Sequence, residues 1–184
     1  MAEKRHQKMK NPPQGAPVEK NFQIRIDKDG RWFHQDGEIK RPALIGLFSS
    51  VLYAETDGSY WLRTPVEYGR IDVEDAPFLI VQADIEGGGK KTQITMQDNL
   101  GRTYILSAKY PVFFQPNPMD QKQIQPYVRL DKGVLAKISR PVYYQMAQWA
   151  MESGGDAQER SKGHRSQIGL WSADMFFPFE TEKI

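Results

Sequence analysis

The chain has 184 residues, enough for one good hydrophobic core or for two small lobes packed together. Apolar residues make up 39% of the chain and form no long run, which excludes a transmembrane helix. There is no cysteine, so disulfides and thiolate chemistry are excluded, and we expect a cytoplasmic protein.

The positive charge of the chain is concentrated at its start. Residues 1–20 hold five Lys/Arg against two Asp/Glu, whereas the remaining residues hold 20 against 21. Rich in Pro, Gln, Lys and Gly, the first segment predicts a disordered basic tail, and it lacks the apolar stretch of a secretory signal. A basic domain face is the footprint of nucleic-acid binding. The near-neutral remainder therefore argues against a nucleic-acid partner.

Residues 21–77 predict a small N-terminal α+β lobe that begins with a hairpin. Phe22, Ile24 and Ile26 alternate with polar residues, which is the pattern of a half-buried strand. The sequence "DKDG" at 27–30 then predicts a tight turn, and "RWFH" predicts the returning strand.

A helix follows at Arg41-Pro42, because Pro is favoured in the first helical turn. An apolar stripe predicts that one side of this helix is buried: Leu44, Leu47, Phe48, Val51 and Leu52. After a turn at 56–59, "YWLRTP" and "YGRIDVED" predict two more strands.

Residues 78–182 predict a C-terminal lobe that opens as an antiparallel meander. "FLIVQADI" is a strand candidate, "EGGGKK" a flexible hairpin tip, and "TQITMQ" a strand with Ile94 and Met96 on one face. "DNLG" turns the chain and "RTYILSA" returns. The Pro- and Asn-rich segment 111–126 predicts a long loop.

The rest of this lobe repeats the opening pattern. "YVRLD", a "KG" turn and "VLAKIS" predict two strands, and Arg140-Pro141 predicts a helix with Val142, Met146 and Trp149 on one face. Residues 153–167 predict a mobile loop, and "IGLWSADMFFPFE" predicts a final strand or extended segment.

The same unit of strand, turn, strand, helix and strand thus appears in both lobes. Arg25–Asp27 matches Arg129–Asp131, and Arg41-Pro42 matches Arg140-Pro141. Repeats on this scale report paired structural units, so we predict an α+β fold of two lobes built from a duplicated unit. Chance recurrence of short phrases is the alternative.

No motif specifies a cofactor, a metal or a reaction. "GGGKKT" lacks the first Gly and the Ser/Thr of a phosphate-binding loop, and a strand candidate follows it. The three histidines show no metal-ligand spacing, and the acidic run at 72–75 is more typical of a solvated strand end. We expect no cofactor and no metal, and we favour a non-enzymatic role.

The arginines at the two helix starts point to anion binding instead. Arg41 and Arg140 each lie beside a helix N-terminus, which carries unpaired N–H groups and partial positive charge. Arg adds bidentate recognition of phosphate or carboxylate. Arg63 lies among aromatic residues that can stack on a ring. In the alternative interpretation, the helix-start arginines only fasten the fold by pairing with Asp27 and Asp131.

The motifs W-x-H, R-P, Y-W-L-x-T-P-x-E and V-E-D-A-P-F, with the closing "IGLWSADMFFPF", occur together from 22 to 179. In this combination the chain closely resembles the proteobacterial domain-of-unknown-function family 1285. The resemblance implies a bacterial protein with a duplicated α+β architecture. It also implies a pleckstrin-homology-like C-terminal lobe, a curved antiparallel sheet with a packed helix. A ligand site between the lobes, for a nucleotide-like molecule, and a role in signal transduction are further implications. The matching positions are Trp32, His34, Arg41, Trp61, Thr64, Glu67, Glu74 and Asp75.

From these observations we expect a small-ligand binding or sensing module. The candidate ligand-binding residues are His34, Arg41, Trp61, Arg63, Thr64, Glu67 and Arg140. One alternative is a protein-interaction adaptor that uses the aromatic C-terminal segment. A second is a hydrolytic enzyme in which His34 works with Glu67 or Asp75 as acid and base. The sequence does not determine the oligomeric state.

Overall fold

The structure is a computed structural model that describes residues 17–152 and 168–179. Within those ranges it is a mixed α+β protein, mostly strands with two α-helices, as the sequence predicts. No helix in the described ranges is long and apolar enough to cross a membrane. The predicted mobile loop at 153–167 lies outside the described residues.

A seven-stranded mixed sheet forms the N-terminal lobe. Its strands are β1 (Val18–Glu19), β2 (Ile24–Ile26), β3 (Trp32–His34), β4 (Gly37–Glu38), β5 (Leu52–Ala54), β6 (Tyr60–Arg63) and β7 (Glu67–Val73). The order is β4-β3-β2-β7-β6-β5, and β1 lies parallel to the first half of β7. The predicted β2–β3 hairpin is confirmed, with Gly30 at a φ of 73° in its turn.

Part of the basic tail predicted for residues 1–20 is the strand β1, and residues 1–16 lie outside the described residues. The N–H of Val18 donates to the Val66 carbonyl at 2.9 Å, and that of Lys20 donates to Tyr68 at 2.7 Å. Gly69 permits this close approach, since a Cβ there would lie 1.9 Å from the Lys20 carbonyl oxygen. Pairing with β7 depends on the tertiary structure, so the polar composition of this segment does not predict the strand.

The predicted helix is α1 (Pro42–Ser50), and it begins at the expected Arg-Pro. Its burial differs from the prediction. None of its residues is fully buried, and Leu44 and Leu47 are 37% and 60% exposed. The predicted stripe is divided, because the helix ends at Ser50 and Leu52 is buried in β5 instead. The helix thus leaves the apolar side chains of Leu44 and Leu47 exposed.

The C-terminal lobe contains a six-stranded sheet in the order β10-β9-β8-β13-β12-β11. The strands are β8 (Phe78–Glu86), β9 (Gln93–Asp98), β10 (Thr103–Ile105), β11 (Val112–Asn117), β12 (Asp120–Arg129) and β13 (Leu135–Ile138). The expected antiparallel sheet is wrong in one place, because β8 and β13 pair in parallel. Strand β13 returns to the side of β8 after four intervening strands, and it runs in the same direction as β8. Ile94 and Met96 are both buried on one face, as predicted.

The long loop predicted for residues 111–126 is wrong, since β11 and β12 form an antiparallel hairpin there. Pro116 lies on the edge strand, beside a register shift that follows it. Pro126 lies one residue beyond the part of β12 that pairs with β13. Both prolines therefore occupy places where a missing N–H does not interrupt a central ladder.

Helix α2 (Arg140–Glu152) packs against β8 with Val142 and Met146 buried, as predicted, and Trp149 is half-buried. The expected final strand is in fact a hairpin of β14 (Gly169–Ser172) and β15 (Met175–Pro178). The two residues of its turn both have positive φ, which closes a two-residue hairpin loop. The Ser172 hydroxyl accepts a hydrogen bond from the Ile94 N–H at 3.0 Å and so attaches the hairpin to β9.

The two lobes share one hydrophobic core, which includes Ile26 and Trp32 from the first and Phe78 and Ile80 from the second. A buried polar cluster also joins them. The Asp75 carboxylate accepts a hydrogen bond from the Tyr127 hydroxyl at 2.7 Å and from Lys137 Nζ at 2.6 Å. Lys137 Nζ also donates to the Lys28 carbonyl at 2.9 Å. Since Asp75 lies in the segment between β7 and β8, this cluster fixes the point where the chain passes between lobes.

Candidate functional site

A cleft of about 570 Å³ lies between the two lobes. The N-terminal lobe contributes the β2–β3 turn, β3, β4 and the start of α1, and the C-terminal lobe contributes the β9–β10 turn. The residues lining the cleft are Gly30, Arg31, Trp32, Glu38, Ile39, Lys40, Pro42, Ile45, Gly46, Asn99, Leu100 and Arg102. Three cations and one acid are among them, together with an apolar wall.

One side of the cleft is formed by the turn Asp27–Arg31. Asp27 Oδ1 accepts hydrogen bonds from the N–H groups of Asp29 and Arg31, both at 2.9 Å. Asp27 Oδ2 accepts from Arg31 Nε at 2.8 Å, and Arg31 Nη2 also lies 2.8 Å from it. The buried carboxylate therefore fixes both the turn and the direction of the guanidinium.

The opposite side is formed by Asp98–Arg102, which repeats the same arrangement. Asp98 Oδ1 accepts from the N–H groups of Leu100 and Arg102 at 2.9 and 3.0 Å, and Oδ2 accepts from Arg102 Nε at 2.7 Å. The Arg102 guanidinium also lies over the Phe78 ring, 4.1 Å from its centre. Each lobe thus presents an Asp-x-x-Gly-Arg hairpin to the cleft.

The two hairpin turns are direct neighbours. A Cβ added to Gly30 would lie 3.2 Å from Asn99 Nδ2 of the other turn. The Asn99 side chain and backbone both hydrogen bond to Leu79, at 3.1 and 2.9 Å, which holds that turn beside β8. The turns therefore contact each other, and Arg31 and Arg102 line one cleft.

Trp32 lies beneath the cleft with 1% of its surface exposed. Its ring stacks on Phe48 at 6.2 Å and contacts Phe78 at 6.5 Å. Its indole N–H is buried and has no hydrogen-bond partner among the described residues. Arg102 Nη2 is likewise buried without a hydrogen bond there, although it lies 2.6 Å from Asp98 Oδ2 as an ion pair. An unpaired buried donor is costly, and the Trp32 indole N–H is one such donor beneath the cleft.

The charge of the cleft is set by its arginines and their carboxylates. Burial alone would raise the pKa of Asp27, but the hydrogen bonds from Arg31 and Asp29 hold that pKa below its ordinary value. The hydrogen bond to Asp27 in turn raises the pKa of the Arg31 guanidinium. Both groups are therefore ionised at neutral pH. Lys40, next to them, makes no ion pair within the described ranges.

Four of the residues predicted from sequence lie together at the β6–β7 hairpin and not at the cleft. Thr64 Oγ1 donates to the Glu67 carbonyl and accepts from the Glu67 N–H, both at 3.0 Å, which shapes the turn. Trp61 donates its indole N–H to the Ser59 hydroxyl at 2.8 Å, and Glu67 forms an ion pair with Lys20 at 2.6 Å. Arg63 is exposed at the end of β6. These contacts explain Trp61, Thr64 and Glu67 as residues that stabilise the hairpin.

The other three predicted residues lie apart from one another. His34 is exposed at the end of β3, opposite Ile24, and Arg140 is exposed at the start of α2. Arg41 immediately precedes α1, between the two cleft residues Lys40 and Pro42. The structure therefore brings only Arg41 next to the cleft.

The fastening alternative for the helix-start arginines receives no support from the described contacts. Asp27 is occupied by Arg31, and Asp131 accepts from the Tyr110 hydroxyl at 2.9 Å and pairs with Lys109 at 3.2 Å. Neither carboxylate contacts Arg41 or Arg140 in the described part of the chain.

The residues of the proposed hydrolytic pair are engaged elsewhere. Asp75 is buried against Tyr127 and Lys137, and Glu67 is bound to Lys20. Within residues 17–152 and 168–179, no hydrogen bond joins either carboxylate to His34. The same ranges contain no group of three His, Cys, Asp or Glu residues arranged to hold a metal ion.

Sequence reasoning missed the residues that line the cleft, although one signal was present. Both "DKDGR" at 27–31 and "DNLGR" at 98–102 read Asp-x-x-Gly-Arg, and each lies between two strands. Treating them separately as turns predicts each hairpin correctly. Comparing them would have predicted a matching pair of arginines.

The described residues thus define a two-lobed α+β protein whose lobes share a cleft between matching arginine hairpins. The chain belongs to the DUF1285 family. The family is a domain of unknown function. Its N-terminal domain model matches residues 12–76, and its C-terminal domain model matches residues 77–179.

Two solved structures are similar to this chain. A DUF1285 family protein from Silicibacter pomeroyi DSS-3 is 32% identical, with a TM-score of 0.70 over 94% of this chain and 85% of that one. A DUF1285 family protein from Shewanella baltica OS155 is 26% identical, with a TM-score of 0.48 over 68% of this chain and 90% of that one. No curated protein matches the sequence.

Proposed function

We propose that this protein is a small-ligand binding or sensing module and that its ligand occupies the cleft between the lobes. The observation that carries the proposal is the cleft itself. Its volume of about 570 Å³ falls in the range of small-molecule sites, roughly 300–1,000 Å³. Beneath it, the indole N–H of Trp32 is buried and unpaired among the described residues.

The lining favours a nucleotide-like anion. Arg31, Lys40 and Arg102 supply N–H donors to the cleft; the two arginines are paired with Asp27 and Asp98, and Lys40 has no ion-pair partner among the described residues. Ile39, Pro42 and Ile45 supply an apolar wall on which a flat ring can lie. A ligand with a ring and an anionic group would use both parts of the cleft.

A role in signal transduction follows from where the ligand would bind. Both lobes line the cleft, so a ligand there would contact both and stabilise one relative arrangement of them. We retain the cytoplasmic, bacterial setting expected from the sequence as part of the proposal.

We also infer that the lobes arose by duplication and that the C-terminal lobe is pleckstrin-homology-like. The duplication is supported by the Arg-Pro start of both helices. The pleckstrin-like shape is supported by the helix α2 that follows six strands and packs on β8.

A thermal-shift screen tests the proposed function, with nucleotides, cyclic and dinucleotide messengers and simple phosphates as probes. A ligand at ~100-fold over its Kd adds about 2.7 kcal/mol of stability. For a chain of this size, that is a rise in Tm of roughly 5–10 °C. Trp32→Phe and Lys40→Ala should reduce the shift, and Arg41→Ala should reduce it less.

The matched control for this screen is Lys90→Ala. Lys90 lies over the Trp171 ring at 5.3 Å, outside the cleft, and its loss should leave the shift unchanged. If no probe raises the Tm of the folded wild type, or if the Trp32 and Lys40 variants keep the full shift, the cleft is not the binding site.

The adaptor alternative now depends on a different surface. The C-terminal segment contains buried core residues, namely Leu170, Ser172, Phe177 and Phe179, so its removal would unfold the lobe. The open apolar face of α1, with Leu44 and Leu47, is the observation that favours a protein partner. Leu47→Lys would then abolish partner binding in a pull-down and leave ligand shifts intact.

A further inference from the structure

We propose that the two Asp-x-x-Gly-Arg hairpins form a twin guanidinium site that selects a ligand with two anionic groups, one for each arginine. This inference rests on the proposed function, because it assumes that the cleft binds a ligand. It goes beyond that function by naming the feature of the ligand that the cleft selects.

The first argument is that each arginine is oriented but not fully used. Arg31 commits Nε and Nη2 to Asp27 and Asp29, and Arg102 commits Nε to Asp98. A guanidinium has five N–H donors. The two donors on Nη1 of each arginine have no partner among the described residues.

The second argument is that the carboxylates are saturated. In each hairpin, Oδ1 accepts two backbone N–H groups and Oδ2 accepts the arginine Nε. Tyr104 donates a further hydrogen bond to Asp98 Oδ2 at 3.0 Å. The carboxylates therefore act as fixed supports that aim the arginines, and an incoming acceptor would meet the remaining N–H groups. Arginines held in this way are suited to bidentate binding of phosphate or carboxylate.

The third argument is that the two arginines belong to one site. The turns that carry them are in contact at Gly30 and Asn99, and both arginines are among the residues that line the same cleft. A ligand with one anionic group would bind one arginine and leave the other without a ligand partner. A ligand with two anionic groups would engage both, and in doing so would bridge the lobes.

The test compares two probes that share a ring and differ in one anionic group, adenosine 5′-monophosphate and adenosine 3′,5′-bisphosphate. Their Kd values for the full chain are measured by isothermal titration at matched ionic strength. We expect the bisphosphate to bind the wild type at least tenfold more tightly. Arg31→Lys and Arg102→Lys should each lower that ratio to within threefold of unity.

Lysine keeps the charge beside Asp27 or Asp98 but lacks the second arm of the guanidinium, so these variants should fold. Urea unfolding of each variant checks this. Arg129→Lys is the control, because Arg129 lies over Phe113 at 5.2 Å, outside the cleft, and its ratio should equal that of the wild type.

Three results would overturn the inference: equal affinity of the wild type for both probes, binding of neither probe, or an unchanged ratio in both cleft variants. The proposed function is judged separately. It survives any of these results if another probe of the thermal-shift screen binds and loses its effect in Trp32→Phe.

Discussion

Replacing Asp75 by Ala should destabilise the protein strongly, because its carboxylate is the centre of the buried polar cluster between the lobes. The side chain of Asp75 is fully buried and that of Lys137 is 18% exposed. Removing one partner of a buried ion pair costs about 3–5 kcal/mol, since the other charge is left uncompensated. Lys137 keeps its bond to the Lys28 carbonyl and some contact with water, so we expect the lower end, about 3 kcal/mol.

The phenol of Tyr127 contributes to the same cost. Burial, and then the hydrogen bond to Asp75, raise the pKa of Tyr127, so its hydroxyl stays protonated and needs an acceptor. In Asp75→Ala that donor is left without its partner. For a chain of this size, a loss of about 3 kcal/mol lowers Tm by roughly 6–12 °C.

The assay is a double-mutant cycle in urea, with Asp75→Ala, Lys137→Met and the double variant followed by tryptophan fluorescence. We expect the double variant to be little worse than either single one, with a coupling energy of about 2 kcal/mol. Glu67→Gln is the control, because the exposed pair with Lys20 should contribute at most about 1 kcal/mol. Additive effects in the cycle, or a loss below about 1 kcal/mol in Asp75→Ala, would show that the cluster does not hold the lobes together.

Three further predictions concern pH and the C-terminal hairpin. Hydrogen bonds lower the pKa of Asp27 in the folded state, so the unfolded chain binds the proton first as pH falls, and stability should fall as pH drops below about 4. The urea midpoint of Asp27→Asn should fall less over the same pH range. Burial raises the pKa of Tyr60 to about 12, so stability should decline as pH rises from 10 to 12, and Tyr60→Phe should flatten that decline in alkaline melting curves. Ser172→Ala leaves the buried Ile94 N–H unpaired, which should cost about 1–3 kcal/mol and speed hydrogen exchange of that amide; an unchanged exchange rate would contradict the contact.

Local signals predicted most of the elements correctly. The "DKDG" turn, the alternation of Ile94 and Met96 and the Arg-Pro start of α1 each depend on residues close in sequence. The errors have a common cause, since they depend on position in the sheet. Pro116 is tolerated in a strand because that strand is an edge, and Leu47 is exposed although it belongs to the apolar stripe.

The cleft was beyond local reasoning for the same kind of reason. The Arg-Pro pair predicts only that Arg41 lies at a helix start, and the structure has Arg41 between two lining residues. Arg31 and Arg102 come from different lobes, and their approach depends on how the lobes pack. No spacing within either hairpin reports that packing. Thr64 and Glu67 are candidates only through the family resemblance, and in the structure they build a tight turn.

The continuous core has a consequence for how this family can be divided. Residues 12–76 and 77–179 match separate domain models, yet Trp32 packs on Phe78 and Asp75 finds its partners only beyond that boundary. Cutting the chain there would expose apolar surface on both pieces and leave a buried carboxylate without its partners on one of them. The two halves are therefore complementary fragments of one folding unit, and neither is a module that could be moved alone into another protein.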